Sequence, residues 1–142
     1  MIKSANILAT YKNKVLVQKR DFSKNIKYKG YYCLFGGHLH KNESFIKAAK
    51  REFFEETNLK INSCKFFLEL KFSFKRVSYM KKFYHYKLDK AWKKYFIFRE
   101  GESFELISKK QLMRKKFVPF DLCAILYYYS HKTLIFLQWK NQ

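Results

Sequence analysis

The chain has 142 residues, of which 48% are hydrophobic and 20% aromatic, enough for one domain with one hydrophobic core. Its 31 Lys and Arg residues outnumber its 11 Asp and Glu residues, giving a formal net charge of +20. This composition excludes a disordered chain, and no apolar run approaches the roughly 20 residues that a membrane-spanning helix needs. We therefore expect a single domain over residues 1–142 that has no membrane partner.

The positive charge has two interpretations. One is an anionic partner, such as nucleic acid, a nucleotide or an acidic membrane surface. The other is amino-acid composition alone, because only five of the 31 basic residues are Arg, the residue that proteins favour for bidentate phosphate recognition. The sequence favours the compositional interpretation, although a field of this sign attracts polyphosphates in either case.

The cysteines and the N-terminus indicate the compartment. Cys33, Cys64 and Cys123 are far apart and form no CxxC pair, which argues against a disulfide framework and against a zinc site. Lys12 and Lys14 interrupt the first apolar segment, so it does not match the apolar core of a signal peptide. We expect reduced thiols and a cytoplasmic protein.

The first half of the chain leads from strands into a helix. The predicted elements are strands over 3–10 and 14–19, a loop over 21–31, a short strand over 32–35 that ends at a Gly-Gly pair, and a helix over 44–57. Ser44 has the side chain of a helix N-cap. Asn58 stands where a helix C-terminus favours a residue that tolerates left-handed geometry.

The second half of the chain contains aromatic strands followed by helices. The predicted elements are strands over 66–74, 79–88 and 92–98, helices over 108–115 and 120–130, and a strand or docked tail over 133–139. Strands and helices do not alternate strictly. The pattern therefore predicts an α+β fold in which helices pack against a mixed sheet.

Three glutamates in the first helix point to metal chemistry. Glu52, Glu55 and Glu56 have i, i+3 and i+4 spacing, which places their side chains on one face. Like charges this close are unfavourable unless a cation offsets them, and Mg²⁺ is commonly held by a few carboxylates together with substrate phosphates. The other face contains Ile46, Ala49 and Phe53 at helical spacing, and we expect these residues to seat the helix on the sheet.

A longer pattern surrounds these glutamates and resembles the Nudix box. Its residues are Gly37, Glu43, Arg51, Glu52, Phe53, Glu55, Glu56, Asn58 and Leu59, at the spacing of that motif over residues 37–59. One position departs from the pattern, because Asn58 replaces the second Gly. Asn is the next most suitable residue for left-handed geometry, so the departure is mild. The resemblance implies the Nudix α/β/α sandwich, with a mixed sheet between helices.

The resemblance also implies roles for individual residues. Glu52, Glu55 and Glu56 would bind Mg²⁺ or Mn²⁺, with the carbonyl of Gly36 as a further ligand. Arg51 would orient the glutamates through a salt bridge. Glu43 and Gly37 would support that network without touching the metal. An acid from a later loop would act as base or as an additional ligand, and we expect it to be Glu100, with Glu102 as the alternative.

The substrate and its contacts are predicted less specifically. We expect Arg20, His38, Tyr32 and Phe35 to contact substrate, the aromatic rings by stacking on a base. The leading function is hydrolysis of a diphosphate bond in a nucleoside diphosphate linked to another group, within the nucleoside triphosphate or nucleotide sugar class. Two alternatives are removal of pyrophosphate or a cap from RNA 5′ ends and a non-catalytic nucleotide-binding module. The partner is expected to be a small nucleotide, with nucleic acid as the less favoured partner, and a homodimer remains open.

Overall fold

The structure is a computed structural model that describes residues 1–140, without the side chains of 136 and 138–140. Its elements are β1 (Ile2–Tyr11), β2 (Lys14–Lys19), β3 (Tyr32–Cys33), β4 (Phe35–His38), α1 (Phe45–Thr57), β5 (Lys65–Phe74), β6 (Val77–Lys87), α2 (Trp92–Tyr95), β7 (Ser103–Ile107), α3 (Lys109–Leu112) and α4 (Pro119–Lys140). No helix in this described part is long and apolar enough to cross a membrane.

The strands form one mixed sheet with the order β3-β2-β1-β6-β5. Strand β1 runs parallel to β6 and antiparallel to β2 and β4, while β7 adds to β2 in antiparallel pairing. Strand β1 shares one edge between two partners. Its N-terminal half pairs with β4, and Thr10 and Tyr11 pair with β2.

Helices cover both faces of this sheet. Along β1, Ala5 and Ile7 point into the core that contains Ala49 and Phe53 of α1, whereas Leu8 points into the core that contains residues of α4. This alternation is the period-two pattern of a strand buried on both faces. The predicted α+β fold, an α/β/α sandwich with a mixed sheet between helices, is confirmed.

Two predicted elements near the C-terminus are wrong. Residues 92–95 form a short helix rather than a strand, because Asp89 Oδ1 accepts a hydrogen bond from Ala91 N at 2.8 Å and the buried Trp92 ring anchors the turn. Residues 133–139 belong to α4 rather than to a strand or a docked tail. Strand β7 was not predicted, since its polar Ser103 and Glu105 are half-buried and Phe104 is exposed, the reverse of the expected alternation.

Candidate active site

Helix α1 has defined ends. Ser44 Oγ accepts a hydrogen bond from Lys47 N at 3.4 Å, and Asn58 has left-handed geometry with φ 63° while its N–H donates to Phe54 O. The predicted N-cap and left-handed C-terminal residue are thus both present. The face that packs on the sheet includes Ala49 and Phe53 as expected, but Ile46 is exposed and Ala48 takes its place.

Arg51 is the hub of an ion-pair network. Its Nε and Nη2 donate to the two carboxylate oxygens of Glu43 at 2.8 and 2.9 Å. Its Nη1 donates to Glu52 at 2.6 Å and to Glu55 at 3.3 Å, and Nη2 also reaches the carbonyl of His38 at 3.1 Å. Because the guanidinium is a rigid planar fork, it fixes three carboxylates relative to one another.

Glu43 is held in its charged form. The Arg51 guanidinium and a hydrogen bond from His40 N lower the pKa of Glu43 to about 2. Glu43 and Glu52 in turn raise the pKa of Arg51. Glu43 and Arg51 therefore both stay charged, and their ion pair links the turn before α1 to the middle of the helix.

The two glycines before the helix leave space for different neighbours. A Cβ on Gly37 would lie 2.5 Å from Cδ of Glu52, so only Gly permits the carboxylate to rest against the strand. Gly36 has φ +151° and touches the backbone of β1, where a Cβ would collide with the carbonyl oxygen of Ala5. Gly37 thus shapes the site, and Gly36 shapes the strand pairing.

Glu56 is a buried carboxyl group, 6% exposed. It accepts hydrogen bonds from Gln18 Nε2 and from Gly36 N, both at 3.3 Å. Burial, followed by the nearby charges of Glu100 and Glu52, raises the pKa of Glu56 to about 9. A metal-free site at neutral pH therefore holds this group as a neutral acid, although burial alone does not specify a metal.

The loop that contains Glu100 is tied to the end of α1. Ile97 N donates to Thr57 O at 2.9 Å, and Arg99 N donates to Glu56 O at 3.0 Å. These backbone bonds bring Glu100 to the cavity that Glu52 and Glu56 line. Glu102, the alternative acid, accepts a hydrogen bond from Phe22 N at 3.3 Å and is not among the residues that line this cavity.

Asn58 strengthens this connection in a way that Gly does not. Its Nδ2 donates to Tyr95 O at 3.0 Å, and its Oδ1 accepts from Arg99 Nη2 at 2.8 Å. The departure from the box thus supplies two bonds from α1 to the segment before Glu100.

Glu52, Glu56 and Glu100 line a cavity of about 450 Å³, whereas Glu55 is not among its lining residues. Another part of its wall is formed by an ion pair between Lys81 Nζ and Asp121 Oδ1 at 2.6 Å. Leu34 and Val118 add apolar surface beside this pair. The cavity therefore joins an acidic region near α1 to a mixed apolar and polar region near the start of α4.

The four residues predicted to contact substrate divide into two pairs. Arg20 and the exposed His38 line the cavity. Phe35 does not fit the prediction, because it is completely buried and packs edge-on against Phe53. Tyr32 does not fit either, because its hydroxyl donates to Glu105 at 3.1 Å and it is not among the cavity-lining residues.

The cavity wall also contains residues that sequence reasoning missed, among them Asn6, Gln18, Lys81 and Asp121. They come from β1, β2, β6 and α4, and no local motif links them. For Asn6 a signal existed, since Asn is unfavourable within an apolar strand. Asp121 lies in the first turn of α4, where an acid is favourable for the helix itself, so its residue type gives no signal of a site.

The donor set fits a hard divalent cation that is shared with substrate. Within the described residues, no group of three or more acidic, His or Cys side chains is positioned to hold a metal ion by itself. Arg51 occupies oxygens of Glu52 and Glu55, and Glu56 is neutral at pH 7 by its raised pKa. Mg²⁺ usually keeps several waters and binds one or two carboxylates plus phosphates. The partly exposed carboxylates of α1, with Glu52 resting against Gly37, suit this mode of binding.

We expect Arg51→Lys to lower kcat/KM about 10- to 100-fold and to raise the Mg²⁺ concentration needed for half-maximal rate, as for other residues that orient metal-binding groups. A Lys ammonium is a point charge and does not reproduce five directed bonds. Steady-state kinetics at varied Mg²⁺ measures both effects. Lys50→Arg, on the same helix, is the matched control and should behave as the parent protein. Equal Mg²⁺ dependence in both variants would contradict the hub role.

Asn58→Gly should lower kcat several-fold with little change in thermal stability, because Gly keeps the left-handed geometry but loses the bonds to Tyr95 and Arg99. Asn58→Ala should lose the same bonds and be less stable by about 1–2 kcal/mol, since Ala disfavours that geometry. Kinetics and thermal denaturation separate the two effects. If Asn58→Gly has the same kcat as the parent protein, the side-chain bonds of Asn58 do not support catalysis.

Comparison with known proteins gives one family and one fold. The family model described as NUDIX domain matches residues 2–127. No curated protein matches the sequence significantly. Among solved structures, the E. coli ORF135 protein is similar with a TM-score of 0.75 and 15% identity, covering 93% of this chain and 91% of that one. The MutT protein from Methanosarcina mazei Go1 is similar with a TM-score of 0.74 and 16% identity, covering 93% and 94%.

A third similar structure belongs to a longer protein. It is a bifunctional NMN adenylyltransferase/ADP ribose pyrophosphatase from Francisella tularensis, complexed with AMP and a Mn ion. The TM-score is 0.69 with 18% identity, over 92% of this chain and 41% of that one. At these identities the structures establish the fold, and the family rests on the domain match.

Proposed function

The chain belongs to the Nudix family of pyrophosphohydrolases, and from this premise we propose that it hydrolyses nucleoside triphosphates with Mg²⁺ to a nucleoside monophosphate and pyrophosphate. The observation that supports this substrate class is the cavity that joins the acidic cluster to the region near α4. A nucleotide has the same division, with phosphates at one end and a base at the other. Mn²⁺ is the alternative metal.

The side chains near the glutamates favour a charged leaving group. Arg20, Lys24, His38 and His40 line the cavity together with Glu52 and Glu56. Cationic and imidazole groups suit the terminal phosphates of a triphosphate. A nucleotide sugar would place a neutral sugar there, for which uncharged hydrogen-bonding groups are better suited. Nucleotide sugars are therefore the second substrate class.

Glu52, Glu55 and Glu56, with the Gly36 carbonyl, are the groups that would hold Mg²⁺. When bound, the metal supplies neutralisation of phosphate charge and a lower pKa for its water. Arg51 keeps Glu52 and Glu55 in place, and Gln18 holds Glu56 by a hydrogen bond.

Glu100 is the group proposed to accept a proton from the attacking water. It reaches the cavity on a loop bonded to α1, and its charge acts on Glu56. A carboxylate in this place is suited to general-base catalysis. The bonds from Asn58 keep this loop close to the glutamates of the helix.

A substrate screen with Mg²⁺ tests the proposal. Nucleoside triphosphates, nucleotide sugars and 5′-triphosphorylated RNA are each incubated with the purified protein, and products are identified by mass. We expect monophosphate and pyrophosphate from the triphosphates, with the highest kcat/KM in that class. Higher kcat/KM for nucleotide sugars or RNA overturns the substrate class, and the absence of any hydrolysis in Mg²⁺ or Mn²⁺ overturns the activity.

A further inference from the structure

Asn6 is an unusual residue for its place in the fold. It lies within β1 between Ala5 and Ile7, in a strand that otherwise favours apolar side chains. It is 5% exposed, and its carboxamide oxygen has no hydrogen-bond partner among the residues that the structure describes. A buried acceptor without a donor is destabilising, so this position points to a partner that binds there. Asn6 also lines the cavity that contains Glu56.

The alternation along β1 places Asn6 on the α4 side of the sheet. Ala5 and Ile7 belong to the core beneath α1, whereas Leu8 belongs to the core beneath α4. Side chains two residues apart in a strand share a face, so Asn6 shares the face of Leu8.

The Gly-Gly pair shows the same division. A Cβ on Gly36 would lie 2.7 Å from Cγ of Asn6, whereas a Cβ on Gly37 would lie 2.5 Å from Cδ of Glu52. Consecutive residues of β4 therefore face the carboxamide on one side and the acidic cluster on the other. Asn6 belongs to the region of the cavity near α4, away from Glu52.

A second acceptor lies over the same face. Asp121 is 1% exposed, and its two carboxylate oxygens accept from Leu34 N at 2.8 Å and from Lys81 Nζ at 2.6 Å. These donors lie two residues from the cross-strand neighbours of Asn6, Leu34 on the β4 side and Lys81 in β6. Because β4 is antiparallel and β6 parallel to β1, the two donors flank Asn6 along the strand. Asp121, which accepts from both donors, therefore lies on the same face of the sheet as Asn6.

We propose that the Asn6 carboxamide oxygen accepts a hydrogen bond from an exocyclic amino group of the nucleobase and so selects amino-bearing nucleotides; this rests on the proposed function. An amino group of adenine, cytosine or guanine is a donor with two hydrogens. One hydrogen suits Asn6, and the other suits the Asp121 carboxylate on the same face. The terminal torsion of Asn is broad, so the carboxamide turns toward a base without a new χ1 rotamer.

The test uses triphosphate pairs that differ by one amino group: GTP and ITP, ATP and purine riboside triphosphate, and CTP and 2-pyrimidinone riboside triphosphate. In at least one pair, the parent protein should prefer the amino-bearing member about five- to a hundred-fold in kcat/KM, the range expected for one buried hydrogen bond. Asn6→Leu and Asn6→Ala should each lower that ratio several-fold, since only the Asp121 contact with the amino group then remains. Ser4→Ala, on the same face of β1, is the control and should keep it.

Three results overturn the inference. They are the absence of an amino preference in the parent protein, an unchanged ratio in both Asn6 variants, and an equal loss of kcat/KM on every triphosphate. The last would mean that the oxygen contacts a group common to all substrates. Neither variant should unfold, because each removes a buried polar group, and thermal denaturation checks this.

Direct binding separates this inference from the proposed function. If no triphosphate is hydrolysed, the affinities of the monophosphates of the same three pairs are measured by calorimetry. A preference for the amino-bearing member of a pair that Asn6→Leu reduces supports the inference although the activity has failed. Equal affinities within all three pairs in the parent protein overturn it.

Discussion

Glu56→Gln should lower kcat by at least about a thousand-fold, which corresponds to roughly 4 kcal/mol of transition-state stabilisation, within the range that metal chemistry supplies. The amide keeps the size of the carboxyl group and retains an oxygen that accepts from Gly36 N. It loses the negative charge that would bind Mg²⁺. Initial rates on the best substrate of the screen, with calorimetric titration of Mg²⁺, measure the two losses.

The same substitution should change how stability depends on pH. In the metal-free protein burial raises the pKa of Glu56 to about 9 from the 4.5 of an exposed Glu. Between these values the folded state binds one more proton than the unfolded state, so stability falls as pH rises. The fall is about 1.4 kcal/mol per pH unit, or about 3 kcal/mol by pH 7. Glu56→Gln removes this dependence and should be the more stable protein at pH 8.

Magnesium should act in the opposite direction. It binds the ionised carboxylate, so it should stabilise the parent protein more at pH 8 than at pH 6 and should stabilise Glu56→Gln little at either pH. Glu69→Gln is the matched control, since Glu69 pairs with Lys71 and Lys82 on the sheet and its pKa is lowered. If the free energies of unfolding of the parent and of Glu56→Gln change in parallel between pH 5 and 8, Glu56 is not the group that binds the extra proton in the folded state.

The parts predicted from the sequence are those in which a local pattern determines the geometry. Helix α1 was placed within one residue, because Ser44 and Asn58 mark its ends and the glutamate spacing has meaning only on a helix. The acidic residues and Arg51 lie together as expected from that spacing. The mixed sheet between helices followed from the order of strands and helices.

A bulge in β5 shows where local patterns mislead. The alternation of Phe66 with Leu68 and Leu70 predicts that all three share the buried face, but the register shifts between Phe66 and Leu68. Phe67 is the extra residue and is buried against Phe83, while Phe66 is 48% exposed. A single inserted residue moves Phe66 to the opposite face from Leu68, and no property of the aromatic sequence indicates it.

The residues of the cavity wall near α4 could not be predicted from the sequence, for a different reason. Lys81 and Asp121 are 40 residues apart and meet only because α4 packs over β6 and β1. Phe35 and Tyr32 are aromatic and so able to stack on a base, but Phe35 packs against Phe53 and the Tyr32 hydroxyl bonds to Glu105, and neither lines the cavity. Long-range packing therefore decides which aromatic rings are available to a ligand, and spacing within one segment does not.

Gly37→Ala should lower kcat about a hundred-fold while the protein stays folded. A Cβ at this position would lie 2.5 Å from Cδ and 2.7 Å from both carboxylate oxygens of Glu52. The obstacle is the end of a flexible side chain, so the carboxylate moves aside at little expense in stability. A shift of about 1 Å in such a group is enough for a loss of this size. Kinetics at saturating Mg²⁺ and thermal denaturation measure the two quantities.

Gly36→Ala should show the reverse balance and is the matched control. Its Cβ would lie 2.6 Å from Cα of Asn6 and would collide with the carbonyl oxygen of Ala5, and neither backbone atom moves without disturbing β1. The φ of +151° is also unfavourable for any residue other than Gly. We expect a stability loss above about 2 kcal/mol from backbone strain and overpacking together. If instead Gly37→Ala unfolds the protein and Gly36→Ala leaves stability unchanged, Gly37 does not act through Glu52. The contacts around the two glycines predict the opposite result.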